Sequence, residues 1–256
     1  MSNIFWMYIK QTYSTSTLLR EQYSDALPHF YTIRTDYQTA GRGQAGNSWE
    51  SEAGKNLLFS ALLKYEGIYA AQQWRLSMLV AVALWDALAK YLPEDRLTIK
   101  WPNDIYFGDK KLAGILIENS LSGTYVGYSI VGIGVNVNQT KWLSNAPNPI
   151  SMKEIAGEEY NVDMLMNGWV DSMKSWELLA TEEIKAAYLR HLYRRDGWHK
   201  YVEREVSLEP TQIAQRDIKG AFLAQLIGIT EQGELMLRKE NNEEKIYHFK
   251  QIRFVL

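Results

Sequence analysis

The sequence predicts an α/β fold with α+β character: a large domain of strands and helices followed by a small all-β unit. Three observations carry this expectation. Strand-length apolar runs are interrupted by long segments of helical period. The 256 residues exceed the roughly 100–200 of an ordinary single domain. After Gly197 the helical period stops, and short strands recur at regular spacing between turn residues, as in a small barrel or sandwich.

The elements follow in order. Residues 4–9 are apolar and aromatic and read as a strand. The hydroxyl-rich TYSTST turn leads into a helix over 18–23, for which Ser14 to Ser16 are suitable N-caps. Residues 29–37, rich in β-branched and aromatic side chains, form a second strand. Residues 39–54 are polar, carry four glycines and read as a long loop; loops of this length in compact domains usually serve binding. Residues 56–65 are a strand. Residues 70–92 are apolar almost all round at helical period, which predicts a buried helix. Strands are expected over 97–100, 105–107, 112–118 and 125–137, with Gly108-Asp109 turning a hairpin. Residues 138–149 form an irregular connection. Helices are predicted over 163–179 and 182–194, and short strands over 206–208, 222–227, 234–238 and 245–249. The domain boundary is placed near Tyr201, giving domains over 1–200 and 201–256.

Composition excludes several function classes. With no cysteine, there can be no disulfide framework, thiolate catalysis or cysteine-ligated metal. Twenty-eight basic against 30 acidic residues give a net charge of −2, without the basic footprint of a nucleic-acid binder. The start lacks the basic and apolar regions of a signal peptide, and the longest apolar run, 78–85, is far short of the roughly 20 residues of a membrane span. A soluble, cytoplasmic protein is expected.

Three segments carry candidate chemistry. The first is DYQTAGRGQAGNSW, 36–49. It satisfies a G-x-G-x-x-G dinucleotide fingerprint through Gly41, Gly43 and Gly46. The polar, turn-like residues that follow do not supply the helix that fingerprint requires, so the dinucleotide reading is rejected. A glycine-rich loop that brings Arg42 and Trp49 onto a ligand fits better, because guanidinium matches phosphate or carboxylate oxygens as a fork. Against it stands an ordinary solvated loop.

The second segment is KWPNDIYFGDKKLAGILIE, 100–118. Lys100, Asn103 and Asp104 crowd around Pro102 at a strand end, and Lys111 opens the next strand beside Gly114. Two lysines and one aspartate suit a triphosphate with Mg²⁺, which takes one or two carboxylates plus phosphate oxygens. Lys110 reads as solvated. The third is IVGIGVNVN, 130–138, in which Gly132, Gly134 and Asn136 share one strand face. A face cleared of side chains accepts something flat, or else packs against a core aromatic.

Together these segments resemble the biotin–protein ligase family, whose pattern is a GRGRxGxxW loop, KWPND with a K-LAGIL stretch, and a G-GxN strand. This chain has GRGQAGNSW, KWPND, KLAGIL and GIGVN, with Ser14-Thr15 upstream and GITEQGELML in the C-terminal region. The resemblance covers nearly the whole chain. It implies a mixed-sheet catalytic domain like that of class II aminoacyl-tRNA synthetases, followed by an SH3-like β-barrel. Because the chain begins at that domain, a monofunctional ligase without DNA binding is expected.

The implied substrates are biotin and ATP, with Mg²⁺ held at Asp104 and a biotin carboxyl carrier protein as acceptor. The family occurs as monomers and as edge-to-edge homodimers. Ser14, Thr15, Ser16 and Gln38 would bind the ureido ring. Gly132, Gly134, Gly114 and Ile115 would wall the bicycle and chain. Gly41, Arg42, Gly43, Gln44 and Lys111 would serve the carboxylate and α-phosphate. Trp49 and Asn136 would contact the adenylate. Lys100, Asn103 and Asp104 would serve triphosphate, metal and incoming amine. Arg42, Lys100, Asp104 and Lys111 are the catalytic set.

The chain departs from the pattern at Gln44 and Asn47, where basic residues are usual, which implies a more weakly held intermediate. Gln251 stands where an acidic residue is expected, so no contact is assigned to the barrel. The competing readings are a lipoate–protein ligase and a non-enzymatic biotin- or nucleotide-binding module. KWPND favours biotin, and the retained Arg42, Lys100 and Lys111 favour an enzyme. None of the histidines, His29, His191, His199 and His248, falls in a motif.

Overall fold

A computed structural model describes residues 5–44, 47–144, 146, 148–204 and 220–255. Two sheets organise them. The first holds seven strands in the order β1-β2-β3-β7-β6-β5-β4, where β1 is Trp6–Thr12, β2 Thr32–Gln38, β3 Leu57–Leu63, β4 Leu97–Lys100, β5 Asp104–Phe107, β6 Lys110–Ser122 and β7 Tyr125–Val135. Only β1 and β2 pair in parallel; the other neighbours are antiparallel.

The strand β3, LLFSALL, explains the layering. Leu57, Phe59, Ala61 and Leu63 point to one face and enter the main core. There they join α2 (Trp74–Ala89), α4 (Val162–Trp176) and α5 (Thr181–Arg190). As predicted, α2 is apolar nearly all round and buried along most of its length. Leu62 faces the other way, into a small cluster with Leu19, Ile33 and Ile130. This cluster seats α1 (Thr15–Glu21), which covers only part of that second face. The remainder is the floor of a cavity.

The second sheet is antiparallel, in the order β11-β10-β9-β8-β12, with β8 His199–Glu203, β9 Ala221–Ile229, β10 Leu235–Lys239, β11 Glu244–Tyr247 and β12 Ile252–Phe254. Glu203 on β8 accepts from Tyr247 (2.8 Å) and Lys245 (2.9 Å) on β11. Three flat inter-strand spacings would hold β8 and β11 roughly 14 Å apart. The sheet therefore curls strongly, in keeping with the small barrel expected.

Sequence and structure differ at the ends of elements. Ser14 occupies the N-cap of α1, but its hydroxyl bonds Ser16 Oγ (3.1 Å) instead of capping. The short helix α3 (Met152–Ala156), closed by a Ser151–Glu154 capping box, was not foreseen; nor were β8 and β12. The strand expected over 206–208 lies outside the described residues. Among those residues no helix is long and apolar enough to cross a membrane.

Candidate active site

A cavity of about 300 Å³ opens on the second face of the seven-stranded sheet. Its floor follows from strand register. Ser60 on β3 pairs Gly132 on β7, Gly132 pairs Leu116 on β6, and Gly134 pairs Gly114. Residues paired across antiparallel strands share a face. Gly132, Gly134 and Gly114 thus clear a strip across two strands, and Ile115, one position off, borders the cavity while its side chain joins the opposite core.

One end of the cavity is neutral and rich in hydroxyls. Ser14, Thr15, Ser16 and Ser60 are all buried. The backbone N–H and the hydroxyl of Thr15 donate to Gln38 Oε1 at 2.8 and 3.1 Å, and Thr15 Oγ1 lies 2.8 Å from Ser60 Oγ. This network fixes the Gln38 carbonyl and leaves its amide group to donate.

The middle of the floor is crossed by Trp49. A Cβ on Gly134 would lie 2.5 Å from the indole Cε2, and one on Gly114 2.8 Å from Cζ3. The flat group that the glycine face was expected to accept is, in this structure, the protein's own tryptophan. A narrow turn returns it to the sheet: Trp49 N–H donates to Gly41 O (2.9 Å), Gly43 N–H to Asn47 O (2.7 Å), and Arg42 bridges Ser48. Gly41 itself does not line the cavity; a Cβ there would sit 2.6 Å from Trp49 O. Its role is to let the loop close. Gly46 lies outside the described residues. Arg42, at the cavity edge, pairs with Glu118 at 2.8 Å, and Glu118 also holds Arg20.

The other end is cationic. Lys111 Nζ binds Asp104 Oδ2 at 2.8 Å. Strict alternation would turn Lys111 away from Gly114, three positions on. A bulge shifts the β5–β6 register between Ile105 and Tyr106 and brings the two onto one side, with Lys111 Nζ 3.3 Å from a Cβ position on Gly114. Lys110 is exposed, as expected. Lys100 Nζ bonds Tyr106 Oη at 2.8 Å and lies over the Phe254 ring, 5.2 Å from its centroid. Burial is the main cause that lowers its pKa to about 8, against the raising influence of Asp104.

Two residues expected to contact the ligand, Asn103 in the cavity lining and Asn136 in an adjoining hollow, also brace the backbone. Asn103 is buried and donates to Ile115 O at 2.7 Å. Asn136 donates to Lys111 O and Ile150 O and sits beside an adjoining hollow lined also by Trp49, Trp142 and Asn148. Both hold the strand that presents Lys111.

The C-terminal sheet also reaches the cavity, against expectation. Arg204, Phe249, Ile252, Arg253 and Phe254 line it. Trp101 Nε1 donates to Gly233 O at 2.9 Å, and a Cβ on Gly233 would overlap Trp74, so this turn seats the sheet against the KWPND segment. Of the missed residues, Ser60 carried a signal as the one polar side chain in an apolar strand. Arg204 and Arg253 carried none, since their position depends on how the second sheet packs. No histidine lines the cavity among the described residues.

The lining thus holds five cations, Arg42, Lys100, Lys111, Arg204 and Arg253, against one carboxylate, Asp104, among the described residues. A neutral donor-rich end, a cleared floor and a cationic end suit an elongated ligand, neutral and hydrogen-bonding at one end and anionic at the other.

Residues 8–136 match the Biotin/lipoate A/B protein ligase family. The chain is 29% identical over 241 residues to the bifunctional ligase/repressor BirA of Bacillus subtilis, covering 91% of this chain and 69% of that protein. It is 40% identical over 144 residues to the biotin--[acetyl-CoA-carboxylase] ligase of Paracoccus denitrificans, covering 56% and 57%. The fold is shared with the biotin protein ligase of Aquifex aeolicus solved with biotin and ATP, at a TM-score of 0.73 and 23% identity over 98% of this chain and 99% of the other. On the profile match over half its length, the chain belongs to the biotin/lipoate A/B protein ligase family.

Proposed function

We propose that this chain is an ATP-dependent biotin–protein ligase, which activates biotin as biotinyl-5′-AMP and transfers it to a lysine of a biotin carboxyl carrier protein. The observation that carries the reading is the graded cavity, neutral and hydroxyl-lined at Thr15 and Ser60 and cationic at Lys111 and Lys100, joined by glycine-cleared strand. The relatives' names as biotin ligases support biotin as the substrate.

In the first step a biotin carboxylate oxygen attacks the α-phosphorus of ATP. The new O–P bond forms as the bond to the β-phosphate oxygen breaks, and pyrophosphate leaves. Negative charge gathers at the α-phosphate, where Lys111 and Arg42 stabilise it from fixed positions. Ser14, Thr15, Ser16 and Gln38 hold the ureido end, Gly132 leaves the strand clear for the bicycle, and Gly134 and Gly114 let Trp49 lie flat against the strands beside the chain. Arg42 exchanges its Glu118 partner for the anion as loop 39–54 closes, which keeps water from the acyl phosphate.

Asp104 fits a metal role: it is the only carboxylate among the described lining residues, and one carboxylate plus phosphate oxygens is a donor set that Mg²⁺ accepts. When bound there, Mg²⁺ would neutralise charge on the triphosphate. In the second step the carrier's lysine amine attacks the acyl carbon, the C–O bond to phosphate breaks, and AMP leaves. Asp104 guides this amine, accepting its proton through the carboxylate oxygen not held by Lys111. The acceptor this requires is the carrier domain of a cytoplasmic biotin-dependent carboxylase. We also place the catalytic domain over residues 1–200 and a smaller domain over 201–256, whose residues line one end of the cavity.

The test is incubation with biotin, ATP, Mg²⁺ and a carrier domain, read by streptavidin blot, with lipoate in a parallel reaction. ATP-dependent label on the carrier is expected; label only from lipoate, or none, overturns the reading.

A further inference from the structure

We propose that Glu118 and Arg20 are positioning residues for Arg42: together they hold its guanidinium at the rim of the cavity and yield it to the carboxylate of a bound ligand. The inference rests on the ligase reading above, in which that ligand is biotin, and extends it to two residues that do not line the cavity.

Arg42 lines the cavity, yet its guanidinium bonds to residues outside it. Nη2 donates to Glu118 Oε1 at 2.8 Å and Nη1 to Thr17 Oγ1 at 3.2 Å. Thr17 and Arg20 belong to α1, the helix whose first residues, Thr15 and Ser16, build the neutral end. Glu118 alternates with Gly114 and Leu116 along β6 and so shares their cavity side. Four residues of strand separate it from Gly114, roughly 13 Å, and it is at Gly114 that the Lys111 ammonium stands. A guanidinium held at Glu118 is therefore away from an anion held at Lys111.

The charges explain how the arginine can leave. Glu118 Oε1 also pairs with Arg20 Nη2, so one carboxylate serves two cations. When Arg42 departs, Glu118 keeps Arg20 and is not left uncompensated. The Arg42 and Glu118 side chains are 40% and 23% exposed, and pairs open to water to this degree are weak. A ligand carboxylate that gains Lys111 as well can therefore win the exchange. Until it does, apparent affinity is reduced by the fraction of molecules in which Arg42 is held. The two residues thus act in opposite directions. Removing the Glu118 charge frees Arg42, whereas removing Arg20 leaves Glu118 to Arg42 alone and tightens the hold.

The test is calorimetric titration of the full chain and of the variants Glu118→Gln and Arg20→Gln with biotin and with biotinol, the neutral alcohol of the same shape. Biotin affinity should rise about two- to fivefold in Glu118→Gln and fall by a similar factor in Arg20→Gln, the range of a partly exposed ion pair. Biotinol affinity should be unchanged in both. Adding Arg42→Gln to Glu118→Gln should abolish the gain. Unchanged biotin affinity, a change of the same sign in the two variants, or an equal change for biotinol overturns the inference, the last because it would mark a merely structural role. Wild-type protein that binds neither compound overturns the ligase reading itself. Tryptic cleavage after Arg42 in the unliganded protein, followed by mass spectrometry, then still decides the hold. Faster cleavage in Glu118→Gln and slower in Arg20→Gln support it, and equal rates overturn it.

Discussion

The two ends of the cavity are built by different means. At the neutral end, Thr15, Gln38 and Ser60 belong to three adjoining elements and satisfy one another directly. At the cationic end, Lys100, Lys111, Arg204 and Arg253 come from two parts of the fold and repel one another, with Asp104 the one carboxylate among the described lining residues. The first end holds its own hydroxyls and the Gln38 carbonyl in one network and is built for shape and hydrogen-bond specificity. The second holds uncompensated charge and is built to stabilise an anion, which is where rate enhancement by preorganised electrostatics arises.

The sharpest way to break this contrast is Lys111→Ala. It removes the cation nearest the centre of the floor and leaves Asp104 unpaired. Adenylate formation should fall by about 10²–10³-fold, the usual cost of one preorganised donor, with little change in biotin binding by calorimetry. Equal loss in both would erase the distinction between the ends. Gly134→Ala should act on the boundary between them. Its methyl would overlap Trp49, so the indole must shift, and the KM values for both substrates should rise about tenfold through overpacking.

The pH dependence probes the cationic end alone. Burial lowers the Lys100 pKa to about 8, so its positive charge is present below that pH and is lost as pH rises through it. The KM for ATP should therefore climb by about tenfold per pH unit once the lysine is mostly neutral, while biotin affinity stays flat. Lys100→Arg, protonated throughout, should flatten the profile. Thr15→Val probes the neutral end alone. It removes a buried hydroxyl with two partners, and biotin affinity should fall by about five- to tenfold with the KM for ATP unchanged. The smallest effect is expected at Gln44, which lines the cavity where the family usually places a basic residue. Gln44→Arg should reduce release of biotinyl-adenylate to free amines by a few-fold, read as label on a non-carrier protein.

How far each end could be read beforehand follows the same division. Gly132 and Gly134 alternate within one strand, and Thr15 and Gln38 lie in short conspicuous segments. Local spacing was enough to nominate them. Ser60 is marked as the one polar side chain of an apolar strand, but its pairing with Gly132 is what assigns it to the cavity. Asn103 and Asn136 stand out by their place at a strand end and on the Gly132–Gly134 face, yet their amides also donate to backbone carbonyls, which sequence spacing cannot reveal.

The sequence by itself determined most of the strands and helices of the seven-stranded domain, the buried character of β3 and α2, the glycine-cleared face of β7, and the family. These depend on periodicity and on contiguous motifs, which are local properties. Tertiary structure alone decided three things. The bulge in the β5–β6 pairing set which way Lys111 points, because a register shift overrides strand alternation. The return of the 41–49 turn laid Trp49 across Gly114 and Gly134. The packing of the second sheet through Gly233 against Trp74 and Trp101 carried Arg204 and Arg253 to the Lys100–Asp104 segment, remote from both in the chain. Each depends on contacts between segments remote in sequence, and no local pattern encodes those.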